Sequence, residues 1–516
     1  MAKPETAGRT VRRGRSARVA SRTAGPDPSA GLHTPRRRIP PYELLDDEAL
    51  DRLEAHADWI LSEIGVEFRG DDEALELFRT AGAEVVGVRV RFEPGLARQL
   101  CLSAPSEFTM YGRDGRRVEI GGDHVVFTPT YGPPFVADLD EGRRYATIED
   151  FRNFVKLTWM SPWLAHSSGT VCEPVDVPVN KRHLDMVDAH LRCSAKPFMG
   201  AVTAPERATD SIAMARIAFG AEYMASHCVI QGNVNVNSPL VWDDTMSGAL
   251  KVYAGANQGC LISPFIIGGG MGPVTQPALI AQAHAEAMTG IALTQLVRPG
   301  APMIYGNFLT TMDLKSGAPT FGTAESTLAT FAIGQLARRL GMPFRCGGHY
   351  TASKVADAQA MQESADAMTP GLLAGSNFIL QAAGWLEGGL TLGYEKFVMD
   401  ADRCGMLHRL LEGLIVDDNE LGASAFSEAG PGGNYLATAH TMANFETANF
   451  ESALCDTRSF EQWSEEGSLD MAQRANQQWK QMLADYEPPP PLDPAVGREL
   501  QAFVDDRKAA VPDAWY

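Results

Sequence analysis

The run Leu261-Ile-Ser-Pro-Phe-Ile-Ile267, the segment Pro277-Ala-Leu-Ile-Ala-Gln-Ala-His-Ala-Glu-Ala-Met-Thr-Gly-Ile-Ala-Leu-Thr-Gln-Leu296 and the run Met303-Ile-Tyr-Gly-Asn-Phe308 together decide the fold. Two short apolar runs flank a long helix-forming segment, which is the texture of one β-α-β unit. The alternation continues outward. Apolar runs at 198–203, 228–234, 344–346 and 377–380 alternate with amphipathic stretches at 206–224, 243–256, 323–340 and 355–373. The strand-to-strand repeat is roughly 30 to 40 residues, enough for a strand, a helix and two loops. Helix starts agree: Thr203-Ala-Pro-Glu206 has capping-box spacing, and Pro277 suits a first helical turn. Six or more such units point to an α/β protein with a (β/α)8 TIM barrel over 151–430, rather than an open sheet. No Gly-x-Gly-x-x-Gly opens a helix after a first strand, which weakens a dinucleotide-binding reading.

The flanks have a different texture. Residues 42–150 mix two helical patterns with short extended runs at 85–92, 108–111, 118–120 and 124–128, an N-terminal α+β subdomain. Residues 431–516 form a helical C-terminal extension, with a helix around 459–485 stopped by Pro488-Pro-Pro-Pro491, which reads as a stiff linker. Residues 1–41 are rich in Arg, Ser, Thr, Gly and Pro and read as a disordered basic tail; a transit peptide or a tether to an anionic surface has the same composition.

Charge divides the same way. Of 516 residues, 1–41 hold ten Lys/Arg against two acids, and the remainder holds 35 bases against 62 acids. An acidic body argues against a nucleic-acid partner, because phosphate binding needs a basic face. No apolar run is long enough to span a membrane, and no secretory signal follows the basic head. The eight cysteines are scattered with no Cys-x-x-Cys pair, as expected of reduced thiols in a cytoplasmic protein.

In a barrel the chemistry sits at the carboxyl ends of the strands. That rule selects Asn233 and Asn235, then Gly268-Gly269-Gly270, then Asn307-Phe308, then Gly347-Gly348-His349-Tyr350. The glycines suit a phosphate loop, close approach to another ligand, or a turn requiring positive φ; the Gly-Lys-Ser/Thr ending of a phosphate loop is missing. Cys346 and His349 have a spacing that zinc can use, although a zinc site takes at least three protein ligands and no third is evident nearby. His349 is otherwise a structural histidine or a substrate hydrogen-bonding group. Tyr131, in a loop with three prolines, can lay its ring over a cation or simply pack on the prolines. Trp385 and Glu387 lie in the Gly-rich run Ala383-Gly-Trp-Leu-Glu-Gly-Gly389. There is no Gly-x-Ser-x-Gly and no His-Glu-x-x-His.

The blocks Gln295-Leu-Val-Arg-Pro-Gly-Ala-Pro-Met-Ile-Tyr-Gly306, Gly317-Ala-Pro-Thr-Phe-Gly322, Gly334-Gln-Leu-Ala-Arg338, Ser353-Lys-Val-Ala-Asp-Ala-Gln359, Ala383–Leu390, Glu395-Lys-Phe397 and Gly430-Pro-Gly-Gly433 resemble, in order and spacing, the corrinoid-dependent trimethylamine methyltransferase family. The likeness covers about residue 40 to 485. It implies a TIM barrel that moves a methyl group from a methylated amine to the Co(I) corrinoid (cobalamin) of a cognate partner protein. The founding branch carries pyrrolysine. This chain has only the twenty standard residues and so resembles the non-pyrrolysine branch, whose members demethylate glycine betaine and related quaternary amines. For that reaction the residues picked out above take expected roles: His349 as the catalytic residue, with a hydrogen bond to an anionic end of the substrate, Tyr131, Asn235, Asn307, Phe308, Tyr350, Trp385 and Glu387 as substrate-binding, and Gly268, Gly269, Gly270, Gly347 and Gly348 as room for the corrin face, with no resident metal expected. The resemblance also implies a homo-oligomer. Two other readings are a zinc-dependent thiol or alcohol methyltransferase using Cys346 and His349, and a non-catalytic betaine-binding barrel. Asn434, where a His is expected, and the unusually polar strand end Gln231-Gly-Asn-Val-Asn-Val-Asn237 depart from the family pattern.

Overall fold

The computed structural model describes residues 34–515. Seven strands form one parallel sheet: β1 (Val126–Phe127), β2 (Phe198–Met199), β3 (Ile230–Val234), β4 (Gly259–Ile262), β5 (Met303–Gly306), β6 (Phe344–Arg345) and β7 (Phe378–Ile379). Their order across the sheet is β1-β7-β6-β5-β4-β3-β2. From β2 to β7 consecutive strands are neighbours, joined by helices α1 (Pro205–Phe219), α2 (Asp244–Gly255), α3 (Gln276–Val297), α4 (Ala324–Arg339) and α5 (Ala358–Leu373); α6 (Tyr394–Leu411) follows β7. The expected α/β alternation is therefore present, with a parallel sheet at its centre. The irregular segment 165–168 bonds to both outer strands' neighbourhoods. Ala165 N donates to Phe127 O at 3.1 Å, Ser167 N to Pro197 O at 2.8 Å, and Met199 N to Ser168 O at 2.7 Å.

Strand alternation gives the sheet two faces. On β3, Ile230 and Val234 join the core beneath the helices, and a Cβ on Gly232 would lie 2.6 Å from the Tyr253 ring of α2. Gln231 and Asn233 therefore point to the other face. The hairpin Glu107–Tyr111/Arg117–Gly121 closes the amino end of that face: Tyr111 N donates to Cys228 O at 2.8 Å. Its Met110, Val118 and Ile120 pack with Val126, Leu261, Ile304 and Phe378. Apolar side chains fill that end, which leaves the carboxyl ends of the strands for chemistry.

Several expectations are corrected. β1 comes from within 42–150 and Val241–Asp243 pairs with Val66–Arg69, so the boundary at 150 cuts through shared sheets. Residues 34–41 are not a solvated tail: Arg37 is buried, its N donates to Asp123 O, and Arg38 N donates to Leu411 O. The rest of the expected tail, 1–33, lies outside the described residues. The run 261–267 splits at Pro264, which has no N–H to continue a ladder, and Phe265–Ile267 pairs with Phe308–Met312 instead. Ala204, not Thr203, caps α1, because Thr203 Oγ1 accepts from Arg207 at 2.8 Å. Pro277 does sit in the first turn of α3. The helix expected around 459–485 breaks at Gly467-Ser468, both with positive φ. A further helix, Pro494–Ala510, packs on α1 through Arg507 and Asp210, 2.7 Å apart. Among the described residues no helix is long and apolar enough to cross a membrane.

Candidate active site

Chain segments leaving β5, β6 and β7 meet in one aromatic cluster. Phe308 follows Asn307 beyond β5, Tyr350 follows the glycines beyond β6, and Trp385 lies beyond β7. Phe321 joins them from the loop before α4. Ring centroids are 5.0 Å apart for Phe308–Tyr350, 5.2 Å for Tyr350–Trp385, 5.8 Å for Phe321–Tyr350 and 6.5 Å for Phe308–Phe321. Trp385 is held by its Nε1, which donates to Thr351 O at 3.1 Å. The Tyr350 hydroxyl is buried without a partner, and burial raises it above the ordinary phenol range. A small cavity of about 30 Å³ opens beside the cluster between Phe308, Phe321, Tyr350, Cys346 and the facing sides of α4 and α5.

His349 is fully buried. Its Nδ1 lies 2.6 Å from Ala382 O, so Nδ1 carries the proton and Nε2 a bare lone pair, which meets no protein partner. Burial, and then the Lys396 ammonium, push its pKa well below the ordinary histidine value. A neutral ring with its only N–H committed to a carbonyl has nothing to donate to a carboxylate. The expected hydrogen bond from His349 to an anionic substrate end is corrected on that ground. Behind it lies a buried ion pair within α6: Lys396 Nζ is 2.6 Å from both oxygens of Asp400 and donates to Ser364 Oγ at 2.9 Å. Ser364 Oγ donates to His349 O at 3.0 Å, and Gly384 N donates to Asp400 at 2.9 Å. The pair thus braces both the His349 loop and the turn that carries Trp385. Burial raises Asp400 to about 6 despite Lys396, and lowers Lys396.

Of the other expected residues, Asn307 and Gly347 line the same cavity, and the rest are dispersed. Asn307 is buried, its Nδ2 donating to Cys346 Sγ at 3.4 Å while Oδ1 has no partner. Tyr131 packs with the apolar group that includes Met199 and Phe378, apart from the four-ring cluster, and burial pushes its phenol up to about 12. Asn235 is exposed beyond β3. Glu387 pairs with Arg143 at 2.7 Å; burial opposes its ionisation, but hydrogen bonds from Thr391 and Arg143 hold it below its ordinary range. The glycines divide. A Cβ on Gly268 would strike Leu279, one on Gly347 would lie 3.0 Å from Gly371 Cα, and one on Gly348 would meet Leu380 O at 2.8 Å. Those three serve packing, and only Gly269 and Gly270 are exposed. Cys346 Sγ interacts with Asn307 and Thr330, and no group of three or more His, Cys, Asp or Glu gathers around it among the described residues.

Two functional candidates escaped the sequence reading. Phe321 sits inside the block Gly317–Gly322 but gives no local signal. Arg345 ends β6, is 2% exposed, and donates from one terminal nitrogen to Asn307 O at 2.7 Å and Ser263 Oγ at 3.2 Å. Strand alternation with Phe344 beneath the helices would have turned Arg345 inward.

Fold and site together describe an α/β protein with an aromatic cluster and a cavity beyond the carboxyl ends of its strands. The chain matches the trimethylamine methyltransferase (MTTB) family over residues 11–512. It is 38% identical to a glycine betaine methyltransferase of Desulfitobacterium hafniense over 471 residues, 91% of this chain and 98% of that one. It is 27% identical over 465 residues to the trimethylamine methyltransferase MttB2 of Methanosarcina mazei, 84% of this chain and 89% of that one. The crystal structure of the Methanosarcina barkeri monomethylamine methyltransferase (MtmB) superposes with a TM-score of 0.45 at 12% identity, covering 87% of this chain and 96% of that one. The chain belongs to the trimethylamine methyltransferase family and is a methyltransferase.

Proposed function

We propose that this enzyme takes one methyl group from a quaternary amine of the glycine betaine type and passes it to the corrinoid of a partner protein. The observation that carries this reading is the cluster of Phe308, Phe321, Tyr350 and Trp385 at the strand ends, beside a cavity. A quaternary ammonium has no N–H to donate, so aromatic faces are its natural protein ligands. The 38% identity to a glycine betaine methyltransferase over nearly its whole length supports the same substrate class. We also read segment 165–168 as the eighth strand that closes a (β/α)8 barrel, with Ile148–Met160 and Arg182–Cys193 as its first two helices.

The chemistry explains what the residues need not do. When the methyl–nitrogen bond breaks, its electron pair stays on nitrogen and the product is a neutral tertiary amine. No proton is required, so no general acid is required. The partner's corrinoid supplies the nucleophile, a Co(I) electron pair that accepts the methyl group. The enzyme's residues hold the cation, orient one methyl group outward and exclude water. A neutral His349 adds no positive charge to a site that receives a cation. The rim offers a docking face. Val274, Leu314, Val355 and Leu390 are all exposed in loops beyond the strands, and Met312, Leu314 and Val274 surround the exposed Gly269. We assign the corrinoid protein to this rim. All eight cysteines are unpaired, which fits the reducing cytoplasm.

Proton NMR tests the reading. Enzyme, Ti(III)-reduced cobalamin and glycine betaine should yield dimethylglycine, with the N-methyl signal declining in step. No demethylation of betaines, carnitine, choline or dimethylsulfoniopropionate, either with free cobalamin or with a cognate corrinoid protein, would overturn it.

A further inference from the structure

Arg345 is a buried cation for which the described residues supply no counter-ion: no carboxylate lies within ion-pair distance of its guanidinium. Its two protein partners, Asn307 O and Ser263 Oγ, are neutral. Its Nε is buried with no hydrogen-bond partner. A desolvated guanidinium in such a state is costly unless something anionic completes it.

Its surroundings are built in the same sense. Reaching Ser263, beyond the end of β4, from β6 carries the guanidinium across β5 on the face away from the helices. Ser263 N donates to Val234 O at 2.9 Å, which sets the end of β4 beside the end of β3. There Asn233 points to the same face, and its Oδ1 is buried without a partner. On its other side, the guanidinium carbon is 5.4 Å from the Phe308 ring centroid, so the cation borders the aromatic cluster.

We infer that Arg345, with Asn233, is the anchor for a carboxylate on the substrate, so that the enzyme selects zwitterionic quaternary amines over purely cationic ones. This rests on the quaternary-amine reading above. Arg presents a planar fork of donors that matches a carboxylate, which Lys does not. Ser263 and the Asn233 amide complete the polar shell, and Arg345 borders the rings as a cation.

Isothermal titration calorimetry with glycine betaine, choline, betaine amide and acetate tests this on wild type, Arg345→Gln and Arg345→Lys. The wild type should bind glycine betaine about 10- to 100-fold more tightly than choline or the amide, the range expected of a charge-assisted hydrogen bond. Arg345→Gln should bring betaine down to the level of choline, and circular dichroism with an unchanged melting temperature shows that the variant is folded. Arg345→Lys should recover only part of the preference. Equal wild-type affinity for betaine and choline, or a betaine preference that survives Arg345→Gln, overturns the anchor and leaves the quaternary-amine reading intact. Acetate binding that depends on Arg345, with no quaternary amine bound, supports the anchor and overturns that reading. No binding of any probe overturns both.

Discussion

The Nδ1 of His349 donates to the carbonyl oxygen of Ala382 at 2.6 Å, so its Nε2 is a buried lone pair with no protein partner. Its pKa is held well below the ordinary value, first by burial and then by Lys396. The rate of methyl transfer is therefore expected to show no acid limb near pH 6.5 from this group. His349→Ala should lower kcat by about 100-fold or more, the scale of a lost positioning contact. Steady-state rates between pH 5.5 and 8 check both; a limb near 6.5 that vanishes in the variant would contradict the neutral ring.

The aromatic cluster should act on binding rather than on chemistry. Phe321→Leu and Phe308→Leu keep most of the apolar volume but remove a π face. Each is expected to raise KM for the quaternary amine about 2- to 30-fold, from about 0.5–2 kcal/mol per cation–π contact, with kcat less affected. Initial-rate kinetics distinguish this from a purely structural role, which would lower the fraction of folded enzyme and leave KM unchanged.

Lys396 and Asp400 are both fully buried and 2.6 Å apart. Lys396→Met leaves a carboxylate without its partner and should cost about 3–5 kcal/mol of stability. The double variant Lys396→Met/Asp400→Leu should recover much of that loss, because neither charge is then stranded. Urea denaturation of the two variants gives the comparison, and a double variant no more stable than the single would refute it.

Rim and pocket should separate kinetically. Leu314→Asp and Val274→Asp place charges on the exposed apolar face around Gly269. They are expected to raise KM for the corrinoid protein at least about tenfold, the effect of losing one apolar anchor from an interface. Turnover with free cobalamin should not change, and equal losses with both acceptors would move the docking face elsewhere.

Acid should destabilise the fold through its histidines. His166, His183, His190, His284 and His349 all have pKa values lowered chiefly by burial, His190 to about 4 and His284 to about 3. The unfolded chain takes up those protons near pH 6.5 and the folded chain does not. Stability is thus full above pH 6.5 and declines as pH falls toward the folded values, by up to about 1.4 kcal/mol per pH unit for each ring. Asp400, raised to about 6, opposes this with one proton. The melting temperature should fall measurably between pH 7 and 5.5; a flat profile would contradict it.

Much of this molecule was legible without coordinates, because apolar periodicity and turn residues are local signals. The alternation from Phe198 to Leu380 located six of the seven strands, and the strand-end rule picked out Phe308, His349 and Tyr350, and the Gly-rich run Ala383–Gly389 picked out Trp385, before any contact was known. β1 was read as an extended run but assigned to the wrong domain, since two residues, Val126 and Phe127, do not reveal which sheet they join.

By itself, then, the sequence determined the α/β rhythm, the family and the loops in which chemistry resides. Only the tertiary structure decided what those loops bring together. Phe321 reaches the cluster from a separate segment, and Ala382 O, far from His349 in sequence, assigns that ring its acceptor role. Arg345 stands out because, among the described residues, no counter-ion approaches it. Partnership, burial and the protonation state they impose depend on where distant strands end in space, and no local pattern of residues encodes that.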